Sequence, residues 1–323
     1  SHLSLDTALI IARTPYAILD ANDRIIAVLL GRPKEHEDES RTLPEHRWTA
    51  TTSRVAVLFE DLRRKGLESG ALTDAHLAHR RGKYAALSFG NSYGGGATVP
   101  GELCQTEEQA LLVAILRAST DLQRVAGFQS DGLASYVPKG YEHMVEGLNS
   151  LYERYPSMRP NFRTSAYPAA TANLGPDTTT LPHKDDGNYP SLACAITALG
   201  GFDHKRGGHI VLTDLKLKIE FPSGSTILLS SAGLEHGNLP IQPGESRYSF
   251  TQYCPGGLLR WVRHGFRPAG GLTKAQRLAL DGPAGEGWRR QLTRLSKYDE
   301  LLEDRKWLIE REDERRRSRT VAS

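Results

Sequence analysis

The sequence contains few cysteines and no long apolar run. Its three cysteines, Cys104, Cys194 and Cys254, are odd in number, far apart and without a Cys-x-x-Cys pair. This usage argues against a disulfide framework and against a cysteine-rich zinc module, and it fits a reducing compartment. Apolar stretches such as Ile25 to Leu30 fall far short of the roughly 18–20 residues that span a bilayer. We therefore expect no transmembrane helix and no membrane partner.

Strong charge of one sign is also lacking. The 323 residues include 41 Lys and Arg against 38 Asp and Glu, for a net charge of +3, so overall charge selects no class of partner. At 39% hydrophobic residues, a chain of this length can bury a full core. The chain begins at Ser1 and not at Met, so we expect a trimmed or processed product, in which a missing targeting signal indicates little.

The first 160 residues are predicted to be mainly helical after two short strands. Thr106 to Gln109 form a capping-box pattern that predicts a helix through about Gln123, and Pro138 suits the first turn of a helix ending near Tyr155. The glycine-rich stretch Asn91 to Gly96 is predicted to be a loop. The remaining elements expected here are strands at Tyr16 to Leu19 and Arg24 to Leu30 and a helix from Val55 to Arg64 that stops at Lys65-Gly66.

From about Phe162 the pattern changes to short β-rich runs separated by Gly and Pro. Such regular, short spacing favours a sandwich or barrel over alternating βαβ units. After Gly271 helical patterning returns and ends in the charged stretch Tyr298 to Arg319. The chain is therefore predicted to be one domain, 1–323, with a helical part at 1–160, a β core at 161–255 and a basic, helical part at 256–323. The candidate strands are Arg163 to Leu174, Leu192 to Ala198, His209 to Asp214, Lys216 to Phe221, Ser225 to Ser230 and Arg247 to Cys254.

A His-x-Asp pair stands within the predicted β core, at His183 and Asp185. Residues two apart on an extended chain project to the same side, so the pair offers an imidazole and a carboxylate to one ion. The pattern alone is weak, because a second His-x-acid sequence occurs at His36 to Asp38, in a charged stretch predicted to be an exposed loop.

Two later residues give the pair a chemical context. A non-haem Fe(II) oxygenase uses two His and one carboxylate and keeps sites open for co-substrate and dioxygen. His236 follows the apolar run Ser225 to Ser230, 51 positions after Asp185, and can supply the third ligand. Arg247 opens the last β run with Ser249 two residues on, and a guanidinium suits the distal carboxylate of a dicarboxylate co-substrate. Singly, each residue also fits a structural role; the ordered set predicts an iron site.

With these residues in view, the sequence resembles the Fe(II)/2-oxoglutarate dioxygenases, and within them the TET/JBP family that oxidises methylated bases, most closely its fungal members. The resemblance implies an α+β fold with a double-stranded β-helix (jelly-roll) core, a helical N-terminal layer and a helical C-terminal tail. It covers about Asn173 to Phe266 and depends on His183 to Asn188, Gly207-Gly208-His209, His236, Arg247 to Tyr253, Gly256 to Trp261 and Gly265-Phe266.

The resemblance also implies roles for individual residues. His183, Asp185 and His236 would bind Fe(II), and Arg247 with Ser249 would hold 2-oxoglutarate. Asn188 would hydrogen-bond the edge of the target base, and Asn173 would touch the co-substrate. Dioxygen is the implied oxidant, with ascorbate as a helper in vitro, and the expected partner is DNA that carries methylated bases. The base would be flipped out of the duplex to reach the iron.

The chain departs from the animal TET enzymes in one respect. Those enzymes carry a cysteine-rich zinc-binding region, which three scattered cysteines cannot build. Sequence preference is therefore not transferred from them. Members of the wider group oxidise 5-methylcytosine, thymine or N-methylated adenine, so the base stays open between 5-methylcytosine and N6-methyladenine.

Basic residues outside the core are candidates for contact with the DNA backbone. Residues 246–280 contain no acid, and Arg260, Arg263 and Arg267 are interleaved there with aromatic residues, as on surfaces that face phosphates. The loop with Tyr93, Gly94 and Gly95 can approach a backbone closely because glycine has no side chain. The cluster Arg315, Arg316, Arg317 and Arg319 is a weak nuclear signal, and with the resemblance it predicts a nuclear protein.

Two other functions stay open on the sequence alone. One is a 2-oxoglutarate dioxygenase of another substrate class, such as a protein hydroxylase, although the acid-free basic segment argues mildly against it. The other is a non-catalytic DNA-binding module on a decayed oxygenase scaffold, against which the intact set of metal ligands and Arg247 argues.

Overall fold

The computed structural model describes residues 8–11, 15–34 and 43–322, with side chains described in 15–34 and 43–318. The second His-x-acid sequence, at His36 to Asp38, lies outside these residues. None of the helices in the described ranges combines the length and apolar character that a membrane span requires.

The described residues form twelve strands and nine helices. The strands are β1 (Ala8–Ile11), β2 (Tyr16–Leu19), β3 (Ile25–Gly31), β4 (Ala86–Ser92), β5 (Gly101–Glu102), β6 (Ala169–Asn173), β7 (Cys194–Leu199), β8 (Ile210–Leu212), β9 (Leu217–Glu220), β10 (Thr226–Leu229), β11 (His236–Asn238) and β12 (Tyr248–Tyr253). The helices are α1 (Trp48–Glu68), α2 (Asp74–Leu77), α3 (Glu107–Ala118), α4 (Thr120–Tyr136), α5 (Pro138–Arg154), α6 (Gly256–Arg263), α7 (Lys274–Asp281), α8 (Glu286–Leu292) and α9 (Leu301–Ala322).

The strands form two sheets that share an apolar core. The larger sheet has the order β2-β3-β10-β7-β12-β6-β4-β5, and the smaller has the order β1-β9-β8-β11. All pairs except β1 with β9 are antiparallel. Leu29 and Ile227 from the larger sheet are buried in one cluster with Leu212, Ile219 and Phe221, which belong to or directly follow strands of the smaller sheet. This two-sheet core is the predicted double-stranded β-helix.

The β core extends further toward the N-terminus than the predicted range 161–255. β2, β3 and β4 all belong to the larger sheet, and β3 lies between β2 and β10 with Leu29 opposite Ile227. The physical reason is visible in β3, where six of seven residues are fully buried. A strand that is apolar on both faces must be covered on both sides, so it joins the core although helices follow it in sequence.

Helices α1, α3 and α4 cover the outer face of the larger sheet. Phe59, Leu116 and Leu122 from these helices are buried together with Phe89 of β4 and Phe250 of β12. The predicted helical N-terminal layer is thus present. It leaves the opposite face of β12, with Arg247 just before the strand and Ser249, Thr251 and Tyr253 on it, turned toward the space between the sheets.

Two predicted helices end at other residues in the structure, and the first of them also begins earlier, at Trp48. α1 continues through Gly66, which is buried and has no room for a Cβ beside Leu72, so this glycine serves close packing and does not end the helix. The helix predicted to run from Thr106 through Gln123 is two helices. The Ser119 hydroxyl accepts the Leu122 N–H at 3.2 Å and begins α4, an N-cap that the apolar periodicity concealed.

Ion pairs connect the C-terminal helix α9 to α5. Arg311 Nε lies 3.4 Å from Glu142, and Arg315 pairs with the same carboxylate, which is only 2% exposed. Arg311 also reaches Glu146 at 2.8 Å. The charged stretch Tyr298 to Arg319 therefore has one side that packs against the body of the protein.

Candidate metal centre

The three predicted metal ligands meet at one end of the space between the sheets. His183 and His236 exchange two backbone hydrogen bonds of 3.0 Å, and the Asp185 N–H donates to the Ser231 carbonyl at 2.9 Å. The segment that carries the His-x-Asp pair is therefore joined to the chain around β11 as an added piece of strand. This pairing brings His183 and Asp185 to His236, which lies 53 and 51 positions after them in sequence.

The ligand atoms of His183, Asp185 and His236 all lie within 4.8 Å of one another. His183 Nε2 is 3.6 Å from Asp185 Oδ1, and His236 Nε2 is 3.8 Å from Asp185 Oδ2. Within the described residues this is the one group of three or more His, Cys, Asp or Glu side chains close enough to share an ion.

Both imidazoles are oriented for a metal. His183 Nδ1 lies 2.8 Å from the Leu181 carbonyl and His236 Nδ1 lies 2.9 Å from the Leu234 carbonyl, so each Nδ1 carries the proton and donates it. Each Nε2 then keeps its lone pair, the form that ligates metals. Burial lowers the pKa of both histidines, which favours this neutral form. Two neutral imidazoles and one carboxylate fit Fe(II).

Arg81 is a further member of the site that the sequence did not reveal. Its guanidinium donates to Asp185 Oδ1 at 2.6 Å, and its carbonyl accepts the Leu181 N–H at 2.7 Å. Arg81 thus holds the carboxylate through its side chain and the His183 segment through its backbone. It lies 104 positions before Asp185, just ahead of β4, and no local motif marks it.

Arg247 lines the same cavity as the three ligands and is only 1% exposed. One terminal nitrogen donates to the Thr178 carbonyl at 2.9 Å, while Nε has no hydrogen-bond partner among the described residues. Phe202 lies 5.8 Å from the guanidinium, and burial lowers the pKa of Arg247 to about 10, so the group stays charged at neutral pH. A buried cation with an unused donor suits a carboxylate.

Asn173 and Ser249, predicted to contact the co-substrate, are neighbours. They are directly opposite one another in the β6 and β12 pair, and Asn173 Nδ2 donates to Ser249 Oγ at 2.8 Å. Both line the cavity that also holds Arg247 and the His-Asp-His group, together with Thr171 and Thr251. The cavity has a volume of about 110 Å³, and these polar groups allow an extended dicarboxylate to hydrogen-bond along its length.

Asn188 lines the same cavity, but its side chain is engaged. Its amide nitrogen donates to Ser231 Oγ at 3.0 Å and lies 3.4 Å from Asp185 Oδ2. The amide oxygen has no hydrogen bond to a described residue. Asn188 can therefore support the Asp185 carboxylate through its nitrogen and accept a hydrogen bond from a substrate through its oxygen.

The candidate DNA contacts lie beside this site and differ in environment. Tyr93 is half-buried against Trp261, with ring centroids 4.7 Å apart, while Gly94 and Gly95 are exposed. Arg260 and Arg267 are exposed, whereas Arg263 forms an ion pair with Asp281 at 2.8 Å. The structure brings the glycine loop and Arg260 and Arg267 to the walls of one surface cavity.

No protein-family model matches the chain, and no curated protein sequence matches it. Solved structures do. NgTET1 in complex with 5mC DNA aligns with a TM-score of 0.50 at 14% identity, over 78% of this chain and 84% of that one. An oxidoreductase of the 2OG-Fe(II) oxygenase family from Burkholderia pseudomallei aligns with a TM-score of 0.30 at 14% identity, over 61% of this chain and 81% of that one.

A truncated viral collagen prolyl hydroxylase from Paramecium Bursaria Chlorella virus-1 aligns with a TM-score of 0.27 at 13% identity, over 61% of this chain and 83% of that one. The alignment with NgTET1 bears on the fold. The predicted α+β fold with a jelly-roll core is confirmed, and the resemblance of this chain to TET dioxygenases holds at the level of the fold.

Proposed function

We propose that this protein is an Fe(II)/2-oxoglutarate-dependent dioxygenase that oxidises the methyl group of a methylated base in DNA. The observation that carries the proposal is the composition of one cavity, whose lining includes both the His183, Asp185 and His236 ligand group and the buried guanidinium of Arg247. A metal and a dicarboxylate can be held in this cavity at the same time.

Each residue has a defined task in this proposal. His183, Asp185 and His236 hold Fe(II), which supplies, with 2-oxoglutarate and dioxygen, the oxidising chemistry for a C–H bond. Arg247 binds the distal carboxylate of 2-oxoglutarate, and Asn173 and Ser249 hydrogen-bond along the molecule. Arg81 and Asn188 fix the orientation of Asp185. The protein thus provides ligand orientation and substrate placement.

The proposed net reaction consumes one dioxygen and one 2-oxoglutarate for each methyl group oxidised. For each methyl group oxidised, one oxygen atom of dioxygen enters the product as a hydroxyl and the other enters succinate, while 2-oxoglutarate loses carbon dioxide. On 5-methylcytosine the product is 5-hydroxymethylcytosine, which can be oxidised further. On N6-methyladenine the hydroxymethyl group leaves as formaldehyde, so the outcome is demethylation.

Two observations support DNA as the substrate. NgTET1, a structure that aligns over 78% of this chain and 84% of its own, is in complex with 5mC DNA. Exposed Arg260 and Arg267 lie on the acid-free segment that follows the β core. A methyl group inside a duplex cannot reach the enclosed ligands, so the base must be flipped out. In this proposal Asn188 reads the flipped base through its amide oxygen, since its amide nitrogen contacts Ser231 and Asp185.

A nuclear location is part of the same proposal and follows from a DNA substrate. The basic cluster in α9 supports it only in part, because Arg315 is ion-paired with the buried Glu142. Arg316 and Arg317 are exposed.

Nucleoside mass spectrometry tests the substrate directly. The protein is incubated with Fe(II), 2-oxoglutarate and ascorbate on duplexes that carry either 5-methylcytosine or N6-methyladenine. We expect loss of at least one methylated base with formation of its oxidised or demethylated product. The Asp185→Ala protein is the matched control and is expected to be inactive.

Two results would contradict the proposal. If neither base changes, the substrate is not a methylated base of this kind, and a protein hydroxylase or a non-catalytic DNA-binding module takes its place. If Asp185→Ala is as active as the unaltered protein, the reaction does not use the site described above.

A further inference from the structure

A surface cavity of about 290 Å³ lies between the glycine-rich loop on one side and α6 with the segment that follows it on the other. Its walls include Tyr93, Gly94 and Gly96 on one side and Arg260, Arg267 and Gly270 on the other. The metal ligands, Arg247 and Asn188 belong to a different cavity. The surface cavity lined by Tyr93, Gly94, Gly96, Arg260, Arg267 and Gly270 is called the notch below.

Backbone contacts connect the notch to the metal centre. Gly256, the first residue of α6, donates its N–H to the Gly187 carbonyl at 2.8 Å, next to Asn188. Gly257 packs so closely on the Tyr93 carbonyl that there is no room for a Cβ. Arg260 follows one helical turn later, about 6 Å along the helix axis from Gly256. The notch is therefore held at a fixed short distance from the residue proposed to read the base.

The positive charges of the notch are not neutralised by the protein. Arg260 forms no ion pair with a described residue, and the one contact recorded for the Arg267 guanidinium is with the His264 carbonyl at 3.4 Å. The first acid that follows these arginines in sequence, Asp281, pairs instead with Arg263 at 2.8 Å and contacts His264 at 3.1 Å. Two of the three neighbouring arginines thus remain available to an anion.

The opposite wall of the notch has a backbone that only glycine adopts readily. Gly94, Gly95 and Gly96 have φ angles of 146°, 58° and 92°, and a Cβ on any of them would meet no atom within 4 Å. The glycines therefore serve the conformation of the loop and not its packing. The N–H groups of Gly95 and Gly96 donate to no described residue, and successive amides in such conformations form anion-binding concavities.

We infer that the notch binds a backbone phosphate of the DNA strand that carries the target base. This inference depends on the proposed function, because it names the contact that positions that substrate. Arg260 and Arg267 neutralise the phosphate, and the amides of Gly95 and Gly96 hydrogen-bond its oxygens. A phosphate fixed here sets the register of the strand, while Asn188 contacts the flipped base.

Salt-dependent DNA binding tests the notch. The affinity of the full chain for a fluorescent duplex with one 5-methylcytosine is measured by anisotropy with Fe(II) and 2-oxoglutarate, without dioxygen, at several salt concentrations. Removing one arginine that contacts a phosphate lowers the slope of log affinity against log salt by about 0.9 and weakens binding about tenfold near 0.05 M salt. We expect this of Arg260→Gln and of Arg267→Gln.

Arg263→Gln is the matched control, because it changes the net charge equally on the same segment but removes an arginine that already pairs with Asp281. Its slope is expected to stay the same. Equal effects of all three substitutions, or no effect of Arg260→Gln and Arg267→Gln, overturn the inference.

Nucleoside analysis of the same proteins separates the inference that the notch binds a phosphate from the proposed oxidation of a methylated base. Methyl oxidation with unchanged slopes refutes the notch alone, whereas the predicted slopes without oxidation refute the proposed reaction alone.

Discussion

His183 and His236 are joined by two backbone hydrogen bonds, each 3.0 Å long, that run in both directions between them. Their rings lie side by side, with centroids 4.4 Å apart. The positions of these ligands are therefore set by the pairing of the main chain. The ligand group is arranged by the fold itself, before any ion contributes.

Removal of one ring should consequently separate metal binding from folding. We expect His236→Ala to keep the fold, because the backbone pairing does not use the side chain. Its affinity for Fe(II) or Co(II) should fall by more than about 100-fold, because losing a metal ligand costs more than losing a residue that only hydrogen-bonds a ligand. Titration with Co(II), followed by its absorption, measures this affinity. The exposed His46→Ala is the control, and equal affinities in both variants would show that His236 is no ligand.

Arg247 should control the requirement for 2-oxoglutarate. Its guanidinium is buried and has an unused donor, so Arg247→Lys, which keeps a charge but not the planar pair of donors, should raise the KM for 2-oxoglutarate. Loss of a charged hydrogen bond of this kind costs about 2–5 kcal/mol, or roughly 30- to 5000-fold. Succinate release without DNA gives the KM. An unchanged value removes Arg247 from the co-substrate site.

Asn188 is expected to act on the base more than on the metal. Asn188→Ala should reduce oxidation of the base more than it reduces 2-oxoglutarate turnover in the absence of DNA. Ser231→Ala, which removes the other partner of the Asn188 amide nitrogen, is the comparison. Both rates come from one preparation by nucleoside and succinate analysis. Equal losses of the two rates in Asn188→Ala would mean that the residue only supports Asp185.

Partly buried His143 gives a pH dependence to stability. Burial, and then the charges of Arg294 and Arg263, lower its pKa from 6.5 to about 4, and its Nε2 lies 2.9 Å from the Tyr189 hydroxyl. Between these two values the unfolded chain binds a proton that the folded chain does not. Stability is therefore lost as pH falls from about 6.5 toward 4, by up to about 3 kcal/mol.

Urea unfolding at pH 7 and pH 4.5 measures this loss. His143→Gln keeps a hydrogen-bonding side chain but cannot titrate, so it should lose less stability than the unaltered protein over the same interval. The exposed His46→Gln should behave like the unaltered protein. If His143→Gln and His46→Gln lose stability equally, His143 is not responsible.

The strands and the ligand set could be predicted from the sequence because their signals are local. β2 was predicted with its observed limits, and the run Ser225 to Ser230 contains β10. The His-x-Asp spacing and the later His236 and Arg247 specified a chemistry as a set, and the structure brings all four to one cavity.

Other features depend on contacts that no short stretch of sequence encodes. Arg81 contacts Asp185 across 104 positions and follows no motif. β4 was not predicted as a strand, because it lies in the region predicted to be mainly helical and precedes a glycine-rich loop. Its pairing with β6 places it in the larger sheet. The difference between Arg263 and its neighbours arises from Asp281, which lies on α7 and meets α6 only in the folded chain.

The most direct test of the central claim counts two products in one reaction. Succinate and oxidised base are quantified together after incubation with Fe(II), 2-oxoglutarate and a duplex that carries methylated bases. We predict one succinate for each methyl oxidation step above the rate measured without DNA, and neither product from Asp185→Ala. Succinate that does not rise with methylated DNA, with no oxidised base formed, would contradict the account.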